Sequence, residues 1–160
     1  MVSIKWCCRQ KEGIRLVDPS ENLSESYIKM SENALGTMNR ERKYNLAFSI
    51  SACYYSMYYS LYSVLMKLGV KCEIHSCTLK FMEEFLKDFY TKEEIKTLSK
   101  AFDLRTIAQY YVDKVLNTKD VDFIIAQAPL FVNSSKRILS EINEKDVERT
   151  RKRIQELMKS

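Results

Sequence analysis

The sequence predicts an all-α protein, an up-and-down bundle of four to five main helices with a helical C-terminal tail. Three observations carry this. Only three glycines and two prolines occur in 160 residues, so turn chemistry for hairpins is scarce, and so is the period-two alternation of strands. Apolar residues recur instead at helical spacing, in segments bounded by capping residues. Residues 44–66, YNLAFSISACYYSMYYSLYSVLM, carry no charge in a chain that is 29% Asp, Glu, Lys and Arg, the pattern of a helix surrounded on all sides. At this length one domain can bury its own core without staples.

Residues 1–19 read as an irregular arm that docks through Trp6, Ile14, Leu16 and Val17 and stops at Asp18-Pro19-Ser20. A bundle domain follows over 20–142, then a tail over 143–160. The first helix is expected at 21–37, capped by Ser20 or Asn22, with Leu23, Tyr27, Met30, Ala34 and Met38 inward; Gly36 and Asn39 weaken its end. The central helix spans 42–68, and Gly69 stops it in the C′ role. After a loop at 69–75, a third helix near 76–90 turns Leu79, Met82, Phe85, Leu86 and Phe89 inward. Thr91 and Glu94 form a capping box, starting a fourth helix at 92 that has length to reach 116, with a bend near Asp103. The fifth helix, 120–141, places Phe123, Ile124, Ala128, Phe131, Ile138 and Leu139 on its apolar face. Pro129 should kink it. In the tail, Val147, Ile154, Leu157 and Met158 keep a helical pattern.

At 100° per residue the charge-free run resolves into three stripes. Leu46, Ile50, Met57, Leu61, Val64 and Leu68 are aliphatic, and Ser49, Ala52, Cys53, Ser56, Ser60 and Ser63 are small. Tyr44, Ala47, Tyr54, Tyr58, Tyr62 and Leu65 lie opposite the serines. The small stripe invites close approach, by a second subunit or by the fourth helix. A membrane span is long enough to fit, since about 20 apolar residues cross a bilayer. Serines, an asparagine and central tyrosines are costly in hydrocarbon, however, and tyrosine prefers the interfaces. The helix is read as the centre of a bundle without a membrane role.

The net charge of +5 is diffuse. Its densest cluster, Arg149, Arg151, Lys152 and Arg153, is interleaved with Glu148 and Glu156, so charge supports polyanion binding only weakly. Met1 to Trp6 is too short, and too interrupted by Lys5, for a signal peptide. Cysteines 7, 8, 53, 72 and 77 are an odd number without CxxC spacing. They read as reduced packing thiols of a cytoplasmic protein, with a metal set through Cys72, His75 and Cys77 as the lesser alternative. No cofactor is expected.

Two positions carry the candidate chemistry. His75, the only histidine, falls just before a helix start, where exposed N–H groups favour an anion; a structural ring bonded to a backbone carbonyl is the alternative. Arg105 sits in the mostly apolar stretch Asp103-Leu-Arg-Thr-Ile-Ala-Gln-Tyr-Tyr111 and needs a partner for its planar donors. Asp103 or Asp113 would make it a lock between helices. A phosphate would make it a site, with Gln109, Tyr110 and Tyr111 adjoining.

The order of residues 52–59 (ACYYSMYY), the turn carrying Lys67 and Gly69, His75 entering a third helix and Arg105-Thr-Ile-Ala-Gln-Tyr110 resembles the HEPN superfamily, in particular its small stand-alone prokaryotic members. The resemblance spans about 20–142, and the arginine motif is its more specific half. It implies a helical bundle paired as a homodimer, often encoded beside a minimal nucleotidyltransferase as toxin and antitoxin. Many members are metal-independent endoribonucleases, in which an arginine is followed, after a spacer of four to six residues, by a histidine at the dimer cleft. Here those positions hold Tyr110, Tyr111 and Val112. The usual acid–base for 2′-OH transesterification is absent, and tyrosine, with a pKa near 10, is a poor base at neutral pH.

The expectation is therefore a homodimer that binds a nucleotide, RNA or a nucleotidyltransferase antitoxin, with weak or no ribonuclease activity. Arg105, Gln109, Tyr110 and Tyr111 would contact the ligand. Tyr54, Tyr58, Tyr62, Ser56 and Ser60 would line the cleft or dimer face. One alternative is an active endoribonuclease toxin using Arg105 with Tyr110 or His75. Another is a non-catalytic dimeric interaction module.

Overall fold

In the computed structural model, which describes residues 2–160, seven helices form the fold, with one of them enclosed by the others. They are α1 (Ile4–Arg9), α2 (Glu21–Glu41), α3 (Leu46–Leu68), α4 (His75–Phe85), α5 (Lys92–Tyr110), α6 (Thr118–Glu141) and α7 (Glu144–Lys159). Two two-residue strands, β1 (Arg15–Leu16) and β2 (Val70–Lys71), pair antiparallel with Arg15 opposite Lys71. The all-α expectation is met. Among the described residues, no helix is long and apolar enough to cross a membrane.

Side-chain caps start most helices: Ser20 accepts from the Leu23 N–H, Asn45 from Phe48, and Asn117 from Asp120. Thr91 with Glu94, and Asn143 with Asp146, form reciprocal boxes at α5 and α7. The boundaries shift from the expected ones where caps or turns compete. Asn45 delays α3 to residue 46, α4 ends at Phe85 with a turn through Tyr90, and α5 stops at Tyr110 without a break at Asp103. α6 continues through Pro129.

The inner face of α2 is a correction. Leu23 and Met30 are exposed, and the buried line is Ser24, Ser31 and Met38, with Tyr27 and Leu35 beside it. The reason lies across the seam. The serine stripe of α3 packs tightly on this line: the Ser31 hydroxyl donates to the Ser56 carbonyl (2.6 Å) and the Ser49 hydroxyl to the Met38 carbonyl (2.7 Å). Small residues on both helices let the backbones approach. Farther along α3, a proton chain runs from Tyr90 to Ser135 (2.7 Å), on to Ser60 (2.9 Å) and then to the Met57 carbonyl (2.8 Å). The stripe expected to meet a second subunit or the fourth helix is thus buried against α2 and α6 of its own chain. Ser56 and Ser60 have no exposed surface.

The arm is more ordered than its composition suggests. Ser3 caps α1 by accepting from Trp6, Ile14 is fully buried, and Glu73 donates its N–H to the Glu12 carbonyl. Cys7 is bonded to Cys77 in a disulfide that ties α1 to the first turn of α4. This overturns the reading of all five cysteines as reduced, and it removes Cys77 from any metal set with Cys72 and His75. Cys53 remains a buried free thiol.

Gly69 ends α3 at φ +70°, where β1, α3 and α7 converge. Arg151 of α7 donates through Nη1 to the carbonyls of Val17 (2.7 Å) and Gly69 (2.8 Å). A Cβ on Gly69 would lie 2.3 Å from that nitrogen and 2.5 Å from the Val17 oxygen. Gly69→Ala should therefore cost more than ~2 kcal/mol, from left-handed strain and a displaced arginine. Arg151→Ala should cost about 2 kcal/mol by stranding carbonyls. In urea unfolding the double variant should fall short of the sum, because each change breaks the same contact.

Candidate functional site

The middle of α3 presents Tyr54, Tyr55 and Tyr58 toward α4 and α5, their rings meeting edge-on or tilted, while Tyr59 meets Tyr27 of α2. α5 runs antiparallel to α3: its start lies near Ser60 through Tyr90 and Ser135, and Arg105 lies beside Tyr55. The Arg105 guanidinium donates from Nη2 to the Tyr55 hydroxyl (2.9 Å) and lies 5.4 and 5.7 Å from the ring centres of Tyr55 and Tyr54. Tyr110, 68% exposed, closes the outer side with its ring centre 6.0 Å away. Cation–π attraction to several faces holds a half-buried cation here.

No carboxylate pairs with Arg105 among the described residues, so an Asp103 or Asp113 lock is excluded. Its Nε is buried and has no partner. An arginine with spare donors and no counter-ion has the chemistry to take an anion.

His75 enters the same cluster from the first position of α4. Its ring stacks on Tyr58 (4.4 Å, 7°) and lies near Tyr54 (5.7 Å) and Phe102 (6.1 Å). Its Nδ1 lies 2.7 Å from the Tyr54 hydroxyl. Burial first, and then the Arg105 cation, lower the imidazole pKa below 6.5, so the ring is neutral at neutral pH. Tyr54 is fully buried, and desolvation raises its pKa far above the ordinary phenol value. It keeps its proton and has no other acceptor, so it donates to Nδ1 and leaves the hydrogen of His75 on Nε2. Nε2 has no protein partner and is not among the buried unpaired atoms, so it reaches solvent as a donor.

The fold thus brings Arg105, His75, Tyr54, Tyr58 and Tyr110 together. Tyr62 is placed elsewhere: its hydroxyl accepts from the Cys72 N–H (3.0 Å) and its ring meets Tyr27 (4.8 Å). Tyr111 turns to Lys114, whose Nζ is 4.1 Å from its ring centre, and Gln109 is exposed. Among the described residues no group of three His, Cys, Asp or Glu side chains is arranged to hold a metal. Two residues escaped sequence reasoning. Tyr55 falls between the stripes of the helical wheel, and Phe102 is one turn before Arg105, a spacing that would have flagged it.

As the only histidine, His75 gives one proton resonance pair to follow in tag-free protein. Its titration midpoint should lie below 6.5 and should rise, without reaching 6.5, in Arg105→Ala, because burial remains. The depressed native pKa also makes the folded state lose stability as pH falls below the unfolded value near 6.5. Between pH 7 and 5.5 the wild type should therefore lose more melting temperature than His75→Gln.

A family model, that of the HEPN domain, matches residues 24–159, from within α2 to the end of α7. A Methanocaldococcus jannaschii protein named "Putative toxin MJ0142" is 27% identical over 124 residues, which cover 74% of this chain and 83% of that protein.

Proposed function

The chain belongs to the HEPN family, and from that premise we propose that it acts as a homodimer that binds RNA or a nucleotide by its phosphate at Arg105, with weak or no ribonuclease activity of its own. The observation that carries this reading is the half-buried guanidinium that has no carboxylate partner, only the Tyr55 hydroxyl, and a stranded Nε. A phosphate supplies what no side chain does: several acceptor oxygens and a negative charge. The Nε2–H of His75 adds a second donor beside it.

The same hydrogen-bond assignment argues for weak catalysis. A ring with Nε2 protonated and Nδ1 occupied by Tyr54 has no free lone pair to take a 2′-hydroxyl proton. Tyr54 is held as a phenol, and Tyr110 is exposed where the family's histidine would fall. Dimerisation is supported by apolar exposure at the start of α3 (Leu46, Phe48) and at and beyond the end of the antiparallel α5 (Tyr110, Tyr111, Val112, Val115). A toxin role with a nucleotidyltransferase antitoxin is the corresponding cellular reading, supported by the name of the Methanocaldococcus relative.

A second reading, an active endoribonuclease, draws support from His75 and Arg105 sharing one aromatic cluster. One experiment separates the two. Purified wild type should sediment as a dimer and bind single-stranded RNA, and Arg105→Ala should weaken that binding by ~10- to 100-fold, the loss of a charged contact. Cleavage by wild type should not exceed that of Arg105→Ala. RNA cleavage that both Arg105→Ala and His75→Gln abolish would establish the nuclease instead. Binding unchanged in Arg105→Ala would remove the site and leave only a dimeric interaction module.

A further inference from the structure

A groove of about 530 Å³ opens between α4 and α5, and Phe102, a neighbour of His75, is among its lining residues. Leu79, Met82 and Ile95 line it with apolar groups, and Ser76, Ser99, Glu83 and Asp103 with polar and acidic ones. Its size is that of a small-molecule site. Phe102 is shared. Its ring lies 6.1 Å from His75 at 25° and 5.5 Å from Tyr54, yet it is only half-buried and lines the groove. The rings of Tyr58, His75 and Phe102 therefore form a stepped series that begins in the core and ends at Phe102, which lines the groove.

Resting on the phosphate reading of Arg105, we propose that this groove receives the nucleobase of the nucleotide whose phosphate Arg105 holds. Phe102 and Arg105 are three residues apart on α5, which places them side by side, about 5–6 Å apart at Cβ. One nucleotide bridges such a pair, its base on the aromatic face and its phosphate on the guanidinium. A base is apolar on its faces and polar at its edge, and the groove offers aliphatic groups for the faces and, for the N–H donors of the edge, serines and the carboxylates Glu83 and Asp103. Lys96 at the rim has no acidic partner among the described residues and adds attraction for the backbone. Stacking on Phe102 extends the ring series already present, and it tolerates any base.

The test uses full-length protein and a short single-stranded RNA carrying 4-thiouridine. Irradiation should link the thiobase to the tryptic peptide 101–105, which contains Phe102. Phe102→Leu removes the π-face while keeping apolar volume, and Ser99→Trp fills the groove from an exposed position. Each should weaken RNA binding by ~5- to 100-fold, the worth of one stacked base. Ribose 5-phosphate, which has no base, should bind both variants as it binds wild type, read from the His75 proton signal. If wild type binds neither RNA nor ribose 5-phosphate, the phosphate reading falls and the groove assignment with it. If RNA binding depends on Arg105 but stays within about twofold in both variants, or the cross-link maps outside 101–105, only the groove assignment is overturned.

Discussion

α3 has to be surrounded, and the remaining helices take positions that accomplish it. Between Leu46 and Leu68 its one ionic group is Lys67, so no face is left to charged solvation. Burying that many hydroxyls is costly unless each finds a partner. Most of the serines solve this locally, Ser51 being the exception whose buried hydroxyl has no partner. Ser56, Ser60 and Ser63 donate to carbonyls three residues back, and Ser31 and Ser135 arrive from α2 and α6. Once those small residues fix α2 and α6 on one side, the tyrosine side is left for α4 and α5. The site is the consequence of that division.

On the tyrosine side the physics is different. Tyr54 and Tyr58 are too large for close helix contact and too polar to leave unpaired. They use His75 and Thr78 of α4 as partners, at 2.7 and 3.4 Å. Arg105 then enters a wall of aromatic faces with no carboxylate to balance it. An isolated half-buried cation is a stability cost that a purely structural position would have little reason to carry. The cost becomes intelligible if an anion completes the arrangement. The depressed imidazole pKa beside it keeps a second positive charge from competing for the same space.

The N-terminal arm shows where local reading fails. Its docking residues were legible as apolar side chains, but the disulfide joins positions 70 residues apart, and nothing in the spacing of Cys7 and Cys77 announces it. The α2 face failed for a related reason. Periodicity favoured Leu23 and Met30 because they are the larger apolar residues, whereas close packing against serines selected Ser24 and Ser31. Hydrophobicity ranks faces; the fit between helices chose the other one.

By itself the sequence determined the helical class, the caps at Ser20, Thr91 and Gly69, the buried central helix and the place of Arg105 in a mostly apolar helical stretch. These depend on nearest neighbours and on periods of a few residues, which composition and spacing record directly. Only the tertiary structure decided that His75 stands in the Arg105 cluster, 30 residues upstream of it, that Asp103 leaves the arginine unpaired, and that the serines face inward. Such facts are distances between elements. They are set by which surfaces pack most closely, and that is a property of helix pairs rather than of any one segment.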